Sequence, residues 1–250
     1  MAKKFLYDSV GLNSATLTDG TISGTAFTSS DSLTNESYLN DENIINATTD
    51  WAGNDGCLID LGSTKTVTGF GAYFTSAAES TSFILYEGLS TTSLTLTGSA
   101  SVTGSSAGWI ITDVSSLSSR YFFIKTNSVT TPVSEIMLGT MYTFGQSPEL
   151  GGVEGKIHGV DVVESYGGYE YANKRHGGKK IWDLSFNNIS STMKTSLTTL
   201  RDTIDGDHRK FIYYDGSSSH YVRASQDSFN FKETAYQVYN TSVKLRQQIG

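Results

Sequence analysis

The sequence predicts a mainly β protein in two parts: an antiparallel β-sandwich of jelly-roll type, then a smaller α+β module with one amphipathic helix. Short runs of β-branched and aromatic residues recur along the chain, separated by Gly, Ser, Asn and Asp. Proline occurs at 2 of the 250 positions, whereas glycine occurs at 25, which favours strands joined by tight turns. Helical periodicity is clear in one segment of the second part.

The charged residues divide the chain unevenly. Residues 1–147 contain 5 Lys and Arg against 13 Asp and Glu, whereas residues 148–250 contain 13 against 12. The change coincides with residues 145–152, a stretch of Gly, Ser and Pro typical of a linker. We therefore predict two domains, 1–147 and 148–250.

Seven segments of the first part have the composition of strands and are separated by turn residues. Short strands at this spacing, without helical periodicity between them, are typical of a two-sheet sandwich. Residues 19–50 are polar and irregular, so we expect long loops there. The predicted strands are 57–61, 67–75, 82–87, 94–97, 109–113, 121–126 and 136–144.

The second part begins with a predicted hairpin, residues 156–165 and 169–173. Residues 181–186 follow as a strand with alternating large apolar side chains, and we expect a basic loop at 174–180. Antiparallel strands around one helix are typical of an α+β module. Later strands are predicted at 211–214, 221–224, 228–232 and 236–249.

The helix is predicted from a single apolar stripe and its capping residues. Ser190 or Ser191 has the hydroxyl that caps a first turn, and Gly206 stands where a left-handed residue ends a helix. The stripe indicates packing against a sheet. It consists of Met193, Leu197, Leu200 and Ile204.

Common catalytic motifs are absent from the sequence, including Gly-x-Ser-x-Gly, His-Glu-x-x-His and the phosphate-binding glycine loops. The four histidines fit no common zinc spacing. We therefore predict that the protein is not an enzyme. A glycan-active enzyme remains an alternative, because two carboxylates can meet from distant positions.

Two groups of residues are candidates for other sites. Oxygen-bearing side chains at Asp31, Asn35 and Asp41 suit the flexible coordination of calcium, although loop solvation and Asx-turns explain them equally well. The basic side chains Lys174, Arg175, Lys179 and Lys180 are candidate assembly contacts. Nucleic-acid binding is disfavoured, since the second part is almost neutral.

The amino terminus has two lysines but no apolar segment behind them, and no stretch approaches the ~18 apolar residues of a membrane span. We expect a protein made in the cytoplasm and not inserted into a membrane. Cys57 is the single cysteine and lies in an apolar strand pattern, which indicates a buried thiol.

Five segments of the first part carry a resemblance to a known family: residues 39–51, residues 57–62 with the Ile-Asp-Leu-Gly of 59–62, and residues 67–70, 120–124 and 134–136. Through them, residues 31–144 resemble the discoidin, or galactose-binding-like, sandwich family. The resemblance implies the sandwich fold and a candidate carbohydrate site in which loop aromatics stack on sugar rings. Tyr38, Trp51 and Trp109 are the candidate aromatics, with burial in the core as the alternative for each.

The second part has a pattern of segments shared with a known group of proteins: residues 167–171, 182–186, the capped helix, 211–215, 221–223 and 239–245. In this pattern, which contains no sharp motif, it resembles tail and baseplate structural proteins of tailed bacteriophages, the distal-tail and tail-tube proteins. The resemblance implies a virion tail protein that forms a homo-oligomeric ring. Its expected partners are other tail proteins and a host surface glycan. The alternatives are a carbohydrate-binding adhesin and a capsid decoration protein.

Overall fold

The computed structural model describes most of the chain. For Val153, Arg175 and His176 it describes the backbone alone. The described residues are 2–29, 33–42, 45, 47–49, 51, 54–76, 82–101, 107–127, 132–149 and 153–248.

The chain forms two compact units. Unit 1 contains Met1–Thr143 and Phe211–His220, and unit 2 contains Phe144–Lys210 and Tyr221–Ile249. The sequence places a boundary at 147/148, whereas Phe144 already packs in unit 2, with its ring 5.3 Å from that of Phe186. Whether residues 1–147 and 148–250 fold separately stays a prediction.

Unit 1 consists of antiparallel strands in the order β6-β5-β7-β4-β8-β1-β11, with β2 beside the first half of β4 and β3 beside β2. A short 3-10 helix spans Leu12–Ser14 and another spans Glu36–Asn40. The strands are β1 (Lys4–Tyr7), β2 (Thr16–Ser23), β3 (Ala26–Ser29), β4 (Asp55–Phe74), β5 (Ser82–Ser90), β6 (Ser93–Ser101), β7 (Gly108–Thr126), β8 (Val133–Thr143) and β11 (Phe211–Tyr214).

The predicted sandwich is confirmed by the way β4 and β7 exchange neighbours along their length. The first half of β4 pairs with β2, and its second half pairs with β8. Register shifts between Asp60 and Lys65 and between Val67 and Gly69 mark the change. Strands that change neighbours at such a bend contribute to both layers of a sandwich.

One hydrophobic core contains residues from both halves of these bent strands. Cys57 and Ile59 come from the first half of β4, and Phe70 and Ala72 come from its second half. A second, smaller cluster of buried residues contains Ile22, Leu58, Leu94 and Phe123. Leu58 lies between the core residues Cys57 and Ile59, and Phe123 lies between Phe122 and Ile124, as period two requires.

Two features of unit 1 differ from the sequence expectation. Residues 19–29, expected as loops, belong to the β2–β3 hairpin, in which Gly20 pairs with Ser29. Segments predicted as separate strands join into the continuous β4 and β7. Both features were missed because the segments are rich in Thr and Ser, and a bend or an exposed hairpin with these residues has the composition of a loop.

An ion pair holds the bend between the two layers. The Arg120 guanidinium donates from Nε and Nη2 to the two carboxylate oxygens of Asp60, each at 2.7 Å. The same carboxylate accepts from the backbone N–H of Gly62 at 2.8 Å, and Gly62 has a φ of 72° that favours glycine. The hydrogen bonds from Arg120, and next that from Gly62, lower the pKa of Asp60, although burial opposes them.

Unit 2 contains β9, β10, β13, β14 and the end of β12, in the order β12-β14-β10-β9 with β13 beside β14. Trp182, Leu184 and Phe186 are buried on one face of β10, as predicted. The elements are β9 (Val153–Glu164), β10 (Glu170–Ser190), α1 (Ser191–Thr203), β12 (Ser219–Ala224), β13 (Lys232–Ala235) and β14 (Val238–Gln247).

The predicted helix is confirmed in its cap and its stripe. Ser190 Oγ accepts from the backbone N–H of Met193 at 3.2 Å, and Gly206 has a φ of 69°. Met193, Leu197, Leu200 and Ile204 are all buried. Among the described residues, no helix has the length and hydropathy needed to cross a bilayer.

The predicted 156–173 hairpin is confirmed, but the basic segment that follows it is not a loop. Residues 174–180 continue β10, which pairs with β9 from Glu170 to Asp183. Two register shifts place extra residues on β10 there, so Gly177 and Gly178 lie in a bulged part of a strand. The predicted strand 228–232 is also wrong, because β13 begins at Lys232.

We predict that Leu197→Ala or Leu200→Ala lowers the free energy of unfolding by ~2–5 kcal/mol, because each leaves a cavity in a packed core. Thr195→Ala, on the exposed face of the same helix, is the control and should change it by less than ~0.5 kcal/mol. Denaturant titration measures both. Equal losses at the two kinds of position would contradict the packing of α1.

We predict that the stabilising effect of Asp60 disappears in acid. A carboxyl whose pKa is lowered on folding stabilises the fold above its ordinary pKa, and that stability is lost as pH falls through the lower folded value. The difference in Tm between the wild type and Asp60→Asn should therefore narrow below about pH 4. Arg120→Met should remove the same pH-dependent contribution to Tm. Parallel Tm profiles down to acid would contradict this role.

Candidate functional site

A cleft on unit 1, here called the Trp109 cleft, combines polar side chains with the aromatic residues Trp109 and Tyr214. Its volume is about 930 Å³, and it lies across β7, β8 and β1 with the turn that follows β11. Clefts of this volume are typical of small-molecule sites. The residues lining it are Ala2, Lys4, Ser101, Ala107, Gly108, Trp109, Ile110, Ile111, Thr112, Asp113, Met141, Thr143, Tyr214, Ser217, Ser218 and Ser219.

Trp109 is fixed at the beginning of β7. It pairs with Tyr73 of β4, and the two rings meet edge to face with centroids 5.8 Å apart. Trp109 is 7% exposed and lines the cleft, so a small part of the residue borders the cleft while most of it is packed. A ring held in this way offers a rigid apolar surface at low entropic cost.

Two glycines of β4 allow the side chains of neighbouring strands to close over that strand. A Cβ at Gly69 would lie 2.7 Å from Met141 Cβ, and one at Gly71 would lie 2.8 Å from Ile111 Cγ2. Met141 and Ile111 both line the cleft. Glycine at these positions therefore leaves room for the apolar side of the cleft.

The charged part of the cleft is an ion pair between β1 and β7. The Lys4 ammonium donates to Asp113, and their side chains are 23% and 52% exposed. Both groups therefore remain accessible from solvent. Hydrogen bonds to charged groups are stronger than neutral ones, so this pair is suited to hold hydroxyl groups of a ligand.

A serine-rich turn supplies hydroxyls on another side of the cleft. Asp215 orders it by accepting hydrogen bonds at 2.8 Å from the backbone N–H groups of Ser217 and Ser218 and from His220 Nε2. Burial raises the pKa of Asp215, but these hydrogen bonds together with that from Ser217 Oγ outweigh it and hold the pKa well below its usual range. The turn is thus fixed by an ionised side chain.

The three aromatic residues predicted to stack on sugars have separate locations. Trp109 lines the cleft. Trp51 is fully buried in the core, where its indole N–H donates to Thr48 O at 3.2 Å, so its rings are unavailable to a ligand and that prediction is wrong. Tyr38 lies half-buried on a 3-10 helix away from the residues that line the cleft.

The predicted calcium ligands are described only in part. Asp31 lies outside the described residues. Asn35 has a φ of 59° and its backbone oxygen accepts from Thr48 Oγ1 at 2.7 Å, while Asp41 follows the 3-10 helix and is exposed. Among the described residues, no group of three or more His, Cys, Asp or Glu could hold a metal ion. Calcium binding therefore stays a prediction.

The predicted assembly contacts lie on β10. Lys174 is exposed, and the side chain of Arg175 lies outside the described part of the chain. Lys179 is half-buried, and the Lys180 ammonium lies 3.6 Å from Glu154 and 5.9 Å from the centre of the Trp182 ring. Lys180 thus already has partners within unit 2, and the assembly role stays a prediction.

Most of the cleft was not predicted from the sequence. The Asp215 turn lies between the strands predicted at 211–214 and 221–224, but Lys4, Asp113 and Thr143 have no distinguishing local signal. They come from three strands that only the sheet order brings together.

The cleft lacks the carboxylate pair that glycoside hydrolysis uses. Among its described lining residues Asp113 has the one carboxylate, and that group is paired with Lys4. Cys57 is buried, and burial raises the pKa of its thiol, which disfavours the reactive thiolate. The geometry therefore suits binding through hydrogen bonds.

No known family description matches the chain, and no curated protein matches it. Several solved structures are similar to part of it. The family 32 carbohydrate-binding module of AlyQ, in complex with 4,5-unsaturated mannuronic acid, is 22% identical over 53% of this chain and 96% of its own, with a TM-score of 0.39.

Two further modules have similar values. Chitosan-binding module 2 of a Paenibacillus sp. IK-5 chitosanase/glucanase, in complex with chitotriose, is 14% identical over 53% of this chain and 100% of its own, with a TM-score of 0.38. The family 32 module of C. perfringens NanJ, in complex with galactose, is 14% identical over 54% and 98%, with a TM-score of 0.35. At these values the matches assign neither a ligand nor an activity to this chain.

Proposed function

We propose that unit 1 binds a carbohydrate in the Trp109 cleft. The observation that carries the proposal is the set of groups around one cleft of about 930 Å³: an accessible Lys4–Asp113 ion pair, a serine turn and an indole ring. Sugars present many hydroxyl groups and a few apolar C–H faces. A site with hydroxyl, carboxylate and ammonium groups beside an aromatic ring complements both.

Each group has a distinct role in this proposal. Asp113 accepts hydrogen bonds from sugar hydroxyls, and Lys4 donates to sugar oxygens. Thr112, Thr143 and the serine turn add neutral donors and acceptors. The bordering part of Trp109 packs against an apolar sugar face, and its contact with Tyr73 keeps the ring in place.

The sequence resemblance to galactose-binding-like sandwiches supports the same function. The similar structures above are themselves named as carbohydrate-binding modules with bound sugars, which is a property of those proteins. None of the structures reported above is a tail or baseplate protein. The virion tail role and the virion location therefore stay predictions from the sequence pattern, and carbohydrate binding takes their place as the main proposal.

We predict that Asp113→Asn weakens carbohydrate binding ~10-fold or more while leaving Tm unchanged. Loss of one charge-assisted hydrogen bond accounts for a change of this size. An exposed ion pair contributes little to stability, so the fold should persist. A glycan array identifies the ligand, and titration calorimetry with that glycan compares the variants.

The matched control is Asp202→Asn, which makes the same chemical change on the exposed Arg201–Asp202 pair of α1 in unit 2. It should bind as the wild type does. If no glycan binds, the carbohydrate proposal fails. If a glycan binds but both variants retain full affinity, the protein binds carbohydrate at a different place.

A further inference from the structure

The sheet of unit 2 ends in a long strand with an open edge. β9 pairs with β10 on one side, and none of the other described strands pairs with its opposite side. Neither proline nor a bulge interrupts its 12 residues, since the extra residues at both register shifts belong to β10. Such an edge presents a row of backbone donors and acceptors to another strand.

Where β14 does not reach, β9 and β10 form a two-stranded ribbon that has exposed apolar side chains. β14 pairs with β10 only from Ile181 onward, so the preceding part of β10 is covered by β9 alone. Ile157, Val160 and Val163 are 44%, 46% and 64% exposed. A two-stranded ribbon is only marginally stable in water, so an additional strand would stabilise it.

The ribbon also places like charges opposite each other. Lys156 is the direct partner of Lys180, and Glu164 is the direct partner of Glu170. Like charges directly opposite on neighbouring strands are destabilising. Glu154 lies 3.6 Å from the Lys180 ammonium and offsets part of the charge at one end, which keeps a basic excess through Lys156, while the other end is acidic. The β9 edge is therefore complementary to itself when it is reversed.

We propose that the β9 edge pairs antiparallel with the β9 edge of a second copy of this chain, in a register centred on Val160. Lys156 then lies opposite Glu164 of the second copy, and Ile157 lies opposite Val163 of the second copy. Each contact occurs twice, because a two-fold axis passes between the two Val160 residues. Across four strands, Lys180 and Lys156 of one copy face Glu164 and Glu170 of the other.

Other registers lack this agreement. Centring on Gly159 places Glu154 opposite Glu164 of the second copy and Ile157 opposite Asp161. Centring on Asp161 places the two Asp161 residues opposite each other. An odd shift pairs Lys156 with Val163 or Ile157 with Glu164, so the charges lose their partners. Side-chain complementarity therefore selects the Val160 register.

The resulting contact is small, because one edge strand contributes on each side. Interfaces of this size are weak and dimerise at high concentration. Dimerisation through β9 involves unit 2 alone and does not depend on carbohydrate binding in unit 1.

The test is sedimentation velocity of the full-length chain at loadings from about 5 to about 500 µM, which bracket the affinities expected of a small interface. The wild type should shift from monomer to dimer over this range. Lys156→Glu and Glu164→Lys should each weaken dimerisation ~10-fold or more, because each brings like charges together across the interface. The double variant Lys156→Glu with Glu164→Lys should restore it.

Lys232→Glu is the matched control, because Lys232 is exposed on β13, which pairs with β14 and not with the β9 edge. It should leave dimerisation unchanged, and unchanged Tm values should show that all variants are folded. A wild type that stays monomeric at every loading overturns the proposal. So does a dimer that tolerates both single charge reversals, or one that the double variant fails to restore.

Discussion

The pairing of β4 with β7 is the constraint on which unit 1 depends. It extends from Cys57 opposite Ile124 to Phe74 opposite Gly108. Because the paired strands bend together, they supply adjacent strands on both sides of the core, and the other strands of each layer add to their flanks. Asp60, Arg120 and Gly62 fix the bend, where the ladder itself is interrupted.

The position of the Trp109 cleft follows from that pairing. Trp109 and Asp113 are four residues apart on β7, so they project from the same face of the sheet. β8 and β1 lie beyond β4 in the same order of strands, which brings Thr143 and Lys4 to that face. Gly69 and Gly71 have no side chains, so the intervening strand β4 leaves room for the side chains of Met141 and Ile111. A charged pair thus forms between residues 109 positions apart in sequence.

The sequence predicted the parts of the structure that have strong periodicity. The α1 stripe and the alternating residues of β10 were predictable because burial of one face requires that spacing. Residues 19–29 and 174–180 were misassigned because their polar and glycine residues have the composition of loops, while backbone pairing places them in strands. Trp51 has the right residue type for sugar stacking, but only the packing shows that it is buried. The cleft required the strand order, which no local pattern encodes.

The two proposals have a joint consequence that follows from valency. A chain dimer formed through β9 would contain two Trp109 clefts, one in each copy, whatever their orientation. Polar clefts exchange hydrogen bonds with water for hydrogen bonds with a ligand, so the net gain from each hydrogen bond is modest. When two such sites reach the same surface, the second binding event becomes intramolecular, and the combined affinity exceeds that of either site. Because the β9 contact is itself weak, a surface that holds many sugars would also favour the dimer by raising the local concentration of the chain. Dimerisation and carbohydrate binding would then strengthen each other through mass action, without any change in the conformation of either unit.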